Sequence, residues 1–104
     1  MHVHLVFVTK YRKKVFTHEI LEEIRSIFSN ICKDFESELI EFDGEGDHVH
    51  LLINYPPKIS ISKLVNSLKG VSAGLLRKKN YPSIQNSLWG NRLWSPSYFA
   101  SSCG

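Results

Sequence analysis

What most constrains this chain is the order in which its apolar periodicity changes along 104 residues. Val3-His-Leu-Val-Phe-Val-Thr9 is β-branched and aromatic without helical spacing and predicts a strand. From Thr17, a candidate N-cap, the spacing turns helical through Ile20, Leu21, Ile24, Ile27, Phe28, Ile31 and Phe35, with Glu19, Glu22 and Glu23 near the start. Leu39-Ile-Glu-Phe42 and His48 to Asn54 then form two strands joined by Asp43-Gly-Glu-Gly46, a hairpin with a four-residue loop. Ser60 or Ser62 opens a second helix along Ile61, Leu64, Val65, Leu68, Val71, Leu75 and Leu76, in which Gly70 and Gly74 point to close packing. A turn-rich stretch follows from Asn80 to Asn91. Leu93 to Phe99, which includes Pro96, reads as an edge strand. The order βαββαβ is that of a ferredoxin-like α+β fold, an antiparallel sheet with both helices on one face.

One domain accounts for the whole length, residues 1–104. Hydrophobic residues at 42% against 22% charged argue against disorder, and no apolar run approaches the ~18 residues of a membrane span. The segment after Met1 lacks the basic region and cleavage site of a signal peptide. Cys32 and Cys103 make neither a disulfide framework nor a zinc ribbon, which points to a reducing cytoplasm. Charge is more informative, because all ten acids lie between Glu19 and Asp47. That segment has a net charge of −8, residues 1–18 carry +4, and residues 48–104 carry +7 without one acid. A basic surface facing a polyanion is the functional reading, and a solvated surface with charges segregated by the fold is the bland one.

His48-Val-His50 is the sharpest local feature. On a strand, residues i and i+2 share a face, so both imidazoles project together and offer half of a metal site. With five histidines in the chain such a pair carries little by itself, and two solvated histidines are the alternative. Asp47 either orients an imidazole or finishes the turn. His2-Val-His4 repeats the spacing on the first strand, which in this fold neighbours the third, and so raises a four-histidine zinc site against the simpler reading of a frayed strand end. Lys10, Arg12, Lys13 and Lys14 around Tyr11, and Arg77-Lys-Lys79, suit phosphates and stacked bases or else are solvated chain ends. Tyr98 reads as a packing or stacking residue, and Trp89 and Trp94 as core or dimer contacts.

Four blocks taken together are more specific. His4-Leu-Val-Phe-Val-Thr-Lys-Tyr-Arg-Lys-Lys-Val15, Asp47-His-Val-His-Leu-Leu-Ile-Asn-Tyr-Pro-Pro-Lys58, Lys63-Leu-Val-Asn-Ser-Leu-Lys-Gly70 and Leu93-Trp-Ser-Pro-Ser-Tyr-Phe-Ala100 resemble, in order, the HUH single-tyrosine transposases of bacterial insertion sequences, the TnpA type. The resemblance implies a cytoplasmic, nucleoid-associated homodimer that binds imperfect hairpins in single-stranded DNA and acts on no membrane or small-molecule substrate. It implies that His48 and His50 hold Mg2+ or Mn2+ with Asp47 behind them. It further implies that Lys10, Tyr11, Arg12, Lys13, Lys14, Lys69, Arg77, Lys78 and Lys79 meet DNA, and that a tyrosine attacks the phosphate to leave a 5′-phosphotyrosine and a free 3′-hydroxyl.

In that family the nucleophilic tyrosine and a further metal ligand lie on a helix after the last strand. Tyr11, Tyr55, Tyr81 and Tyr98 all precede that position, and the chain stops at Gly104. The expectation is therefore a core incomplete at its C-terminus and trimmed at its N-terminus, inactive alone. A non-catalytic hairpin-binding module of the same descent is the alternative. An RNA-binding ferredoxin-like domain would need aromatic signatures that Val3 to Thr9 and His48 to Asn54 do not show.

Overall fold

Alternation in the first strand divides the molecule into two faces. In a computed structural model, which describes residues 1–88 and 92–103, β1 (His2–Thr9) buries Val3, Leu5, Phe7 and Thr9 and leaves His2, His4, Val6 and Val8 half-exposed. The chain continues through a 3₁₀ turn at Lys10–Arg12, α1 (His18–Asp34), β2 (Glu38–Glu45), β3 (His48–Asn54), α2 (Ile61–Lys79), a short α3 (Pro82–Leu88) and β4 (Trp94–Cys103). The strands form one sheet in the order β2-β3-β1-β4 with antiparallel neighbours. This is the expected ferredoxin-like arrangement, with α3 added in the stretch after α2.

Inward residues of the strands pack against α1 and α2 in a single core that includes Phe7, Ile24, Phe28, Leu51, Leu64 and Leu68. Burying each of the larger side chains contributes roughly 1.5–3 kcal/mol. Phe28 and Trp94 both meet Phe7, edge-on at 5.9 and 5.7 Å between centroids. Thr17 caps α1, its Oγ1 accepting the Ile20 N–H at 3.2 Å. Ser60, rather than Ser62, caps α2 by accepting the Lys63 N–H.

Three local expectations need correction. The hairpin turn is two residues, Gly46 and Asp47, because β2 continues through Glu45. Gly44 faces inward there, and an added Cβ would lie 2.7 Å from a methyl of Leu21, so the glycine serves close packing of α1 on the strand. The buried stripe of α2 runs through Leu64, Val65, Leu68, Ser72 and Leu76, leaving Val71 and Leu75 exposed. Ser72 is accommodated because its hydroxyl donates to the Leu68 carbonyl at 2.6 Å and accepts the Trp94 indole N–H at 3.0 Å. Gly70 and Gly74 lie on the open side of α2 with nothing among the described residues within 4 Å of an added Cβ, and are not packing glycines there. Trp94 is core, whereas Trp89 lies outside the described residues. No helix of the described residues is long and apolar enough to cross a membrane.

Candidate functional site: a histidine ladder on the open face

The face of the sheet away from the helices carries the candidate histidine pair. Register places Val8 of β1 opposite His48 and Val6 opposite His50, so both imidazoles stand on the open face while Val49 and Leu51 enter the core. The rings meet edge-on, centroids 5.0 Å apart and planes at 82°. Next in the ladder, His4 lies nearly parallel to His50 at 5.5 Å and 17°.

Asp47, in the turn, settles the tautomer of His48. The Nδ1–H donates to Asp47 Oδ1 at 2.8 Å, leaving Nε2 as the ring's lone-pair donor. That bond is the main cause holding the Asp47 carboxyl below its ordinary range, with the Arg12 charge adding to it against partial burial. Arg12 Nε reaches the other carboxylate oxygen at 3.4 Å. The contact depends on an unusual backbone, since Tyr11 and Arg12 are consecutive left-handed residues at φ 59° and 54°. Each such non-glycine residue costs roughly 1–2 kcal/mol. The turn bends the chain sharply after β1, tied by Thr9 Oγ1 donating to the Lys13 carbonyl at 2.7 Å, and leaves the Tyr11 ring 67% exposed with the Lys10 amine over it.

The basic residues fall into groups with different freedom. Lys13, Lys14 and Lys78 are exposed, and their amines have no partner among the described residues. Lys14 lies against Gly46 of the turn before His48. Ser83, shortly after α2, donates to the Val15 carbonyl at 2.7 Å, which gathers the Arg77–Lys79 end of α2 and the Lys10–Lys14 segment at one end of the molecule. Lys79 pairs with Glu23 of α1 at 3.0 Å, and this bond raises its pKa. Lys69 sits apart, on the helix side. Its amine donates to the carbonyls of Ser95, Pro96 and Ser97 and lies over the Phe7 and Tyr98 rings, while burial lowers its pKa. It anchors the start of β4. Tyr98 pairs with Phe7 in register and packs edge-on against it at 6.3 Å, on the face opposite His48 and His50.

The four-histidine zinc cage does not form. Among the described residues no group of three or more His, Cys, Asp and Glu side chains converges on a metal position, and His4 lies flat on His50 instead of converging with it. The remaining pair fits half of a divalent-ion site, two imidazoles on one face with the tautomer of one set from behind. Two relationships escaped the motif reading, the His4–His50 stack and the Arg12–Asp47 contact. The shared parity of His2-Val-His4 and His48-Val-His50 was the available signal for the first; nothing local signalled the second.

Comparison with known proteins supplies the context. The profile of the IS200-like transposase family matches residues 1–104. ISDra2 transposase TnpA of Deinococcus radiodurans is 37% identical over 95 residues, covering 91% of this chain and 67% of that protein. The transposase for insertion sequence element IS200 of Salmonella typhimurium is 29% identical over 97% of this chain and 66% of its own length. The chain thus spans about two-thirds of the curated relatives it matches. A solved Deinococcus radiodurans structure described as a transposase superposes at TM-score 0.89 with 32% identity, over all of this chain and 79% of that one. A REP-associated tyrosine transposase bound to a REP hairpin shares the fold at TM-score 0.63 and 12% identity, over 99% of this chain and 55% of that one.

Proposed function

Because the chain belongs to the IS200-like transposase family, we propose that it binds hairpins in single-stranded DNA and contributes the metal-holding histidines of a strand-cleaving and rejoining reaction. The observation that carries this reading is the His48–His50 pair on the open face, with Asp47 fixing the His48 ring from behind. His48 and His50 would hold Mg2+ or Mn2+, and that ion supplies Lewis-acid polarisation of the scissile phosphate. His48 offers Nε2 because its Nδ1–H is committed to Asp47. Lys13, Lys14 and Lys78 neutralise phosphates at the same end of the molecule, and the exposed Tyr11 ring offers a base a stacking surface.

The nucleophile in this reading is a tyrosine, the residue type that gives a phosphotyrosine link. Tyr98 is directed to the helix face, away from the histidines. Attack by a tyrosine oxygen on phosphorus forms the phosphotyrosine bond as the phosphorus–3′-oxygen bond breaks, and the 3′-oxygen leaves to become the free hydroxyl. The reaction conserves the phosphodiester energy that rejoining needs.

The marginal position and composition of β4 support a homodimer. From Trp94 to Cys103 the strand has no charged residue, lies at the margin of the sheet and exposes Phe99 to 60%, the kind of edge that soluble monomers normally blunt with charge. A second copy pairing along it would cover that edge.

Binding of labelled hairpins from DNA flanking the gene, against scrambled strands of equal length, tests the proposal. Hairpin preference with steep salt dependence is expected. Equal, salt-insensitive affinity for both would overturn the DNA reading.

A further inference from the structure

His48 and His50 are held in different ways. His48 is anchored by the Asp47 carboxylate, but among the described residues the His50 ring makes no hydrogen bond. Register places a carboxylate opposite it, Asp43 on β2, yet that side chain accepts the Gly44 N–H at 2.9 Å instead. A metal-binding imidazole ordinarily has a hydrogen-bonded group behind it. What His50 has is a ring on each side: His48 edge-on at 5.0 Å, and His4 nearly parallel at 5.5 Å and 17°.

We propose that His4 is a positioning residue that holds the His50 imidazole in its metal-ready rotamer by stacking, as Asp47 holds His48 by hydrogen bonding. This rests on the reading of His48 and His50 as the metal pair. The nearly parallel arrangement turns ring faces toward each other, which suits a packing contact and not a shared ion. β1 is suited to the task, because it lies between β3 and β4, tied to both by long ladders, and the stack therefore refers the ring to the rigid middle of the sheet. His4 is half-exposed on the open face, so replacing it leaves the core untouched.

Two variants separate stacking from nitrogen chemistry. His4→Phe keeps a ring without nitrogens, and His4→Ala removes the ring. In metal-free protein, side-chain couplings and ring-to-ring cross-relaxation measured by NMR should report one His50 rotamer in the wild type and His4→Phe, and an average in His4→Ala. Calorimetric titration with Mn2+ should give His4→Phe an affinity within about twofold of wild type and His4→Ala one about tenfold weaker, the lower range for loss of an orienting group. An unaltered rotamer and affinity in His4→Ala would overturn the proposal. So would a His4→Phe protein as weak as His4→Ala, since a nitrogen of His4 would then be the active feature. Failure of the metal reading is distinguishable: Mn2+ affinity indifferent to His48→Ala would remove the metal pair, while the metal-free rotamer of His50 still reports whether His4 holds the ring.

Discussion

Asp47 accepts the Nδ1 proton of His48 at 2.8 Å across a single peptide unit. The contact converts a turn residue into the group that sets which nitrogen of His48 is presented. Asp47→Ala should therefore weaken Mn2+ binding by roughly 10- to 100-fold while His48 itself is unchanged. Titration calorimetry checks this, and affinity equal to wild type would mean that the contact is a turn closure only.

The two kinds of basic residue should behave differently on DNA. Each phosphate neutralised on a single strand contributes about −0.7 to the slope of log K against log salt. Lys13→Ala should flatten the slope by about that amount. Lys79→Ala should change it less, because Glu23 already pairs with that amine. Affinities measured across a salt series decide it, and equal effects would show that the Glu23 pair opens on binding.

Ser72 and Trp94 form a buried polar contact whose loss has a stability consequence. Ser72→Ala leaves the indole N–H without its acceptor and should destabilise the fold by about 1–3 kcal/mol. In Ser72→Ala with Trp94→Phe the two losses should add to less than their sum. Urea denaturation of the single and double variants provides the comparison.

Cys32 gives a pH dependence of defined sign. Burial pushes its thiol up to about 11, above the ordinary value of about 8.5 for a free cysteine. The folded state thus favours the protonated thiol. Its contribution to stability is complete below about pH 8.5 and is lost as pH rises toward 11. Denaturation midpoints should fall through that window more steeply in wild type than in Cys32→Ala, and mass-mapped alkylation at pH 8 should label the Cys32 peptide only after unfolding.

Element order and the site motif were legible because they depend on local periodicity. Thr17 capping α1, the alternation that places His48 and His50 on one face and the central pairing of β1 with β3 follow from spacing and fold topology. What escaped depends on contacts between distant segments. Asp43-Gly44 has turn chemistry, but pairing with His50 and Val49 of β3 keeps it in the strand, where Leu21 of α1 packs close to Gly44. Ser72 interrupts an apolar stripe, and only its bonds to Leu68 and to Trp94, 22 residues away, make it a core residue. Arg12 reads as a DNA contact by charge, and the left-handed turn that carries it to Asp47 has no glycine to announce it.

In the proposed reaction His48 and His50 together hold a divalent ion. Pulsed EPR of Mn2+ bound to the chain reads this directly, because coordinated imidazole nitrogens modulate the electron-spin echo. Two imidazole nitrogens are expected in the wild type and one in each of His48→Ala and His50→Ala, with hairpin affinity kept within about threefold in both variants, since the ion acts on the phosphate and not on the fold. Mn2+ that shows no imidazole nitrogen coupling, or coupling that survives unchanged in both variants, would contradict it.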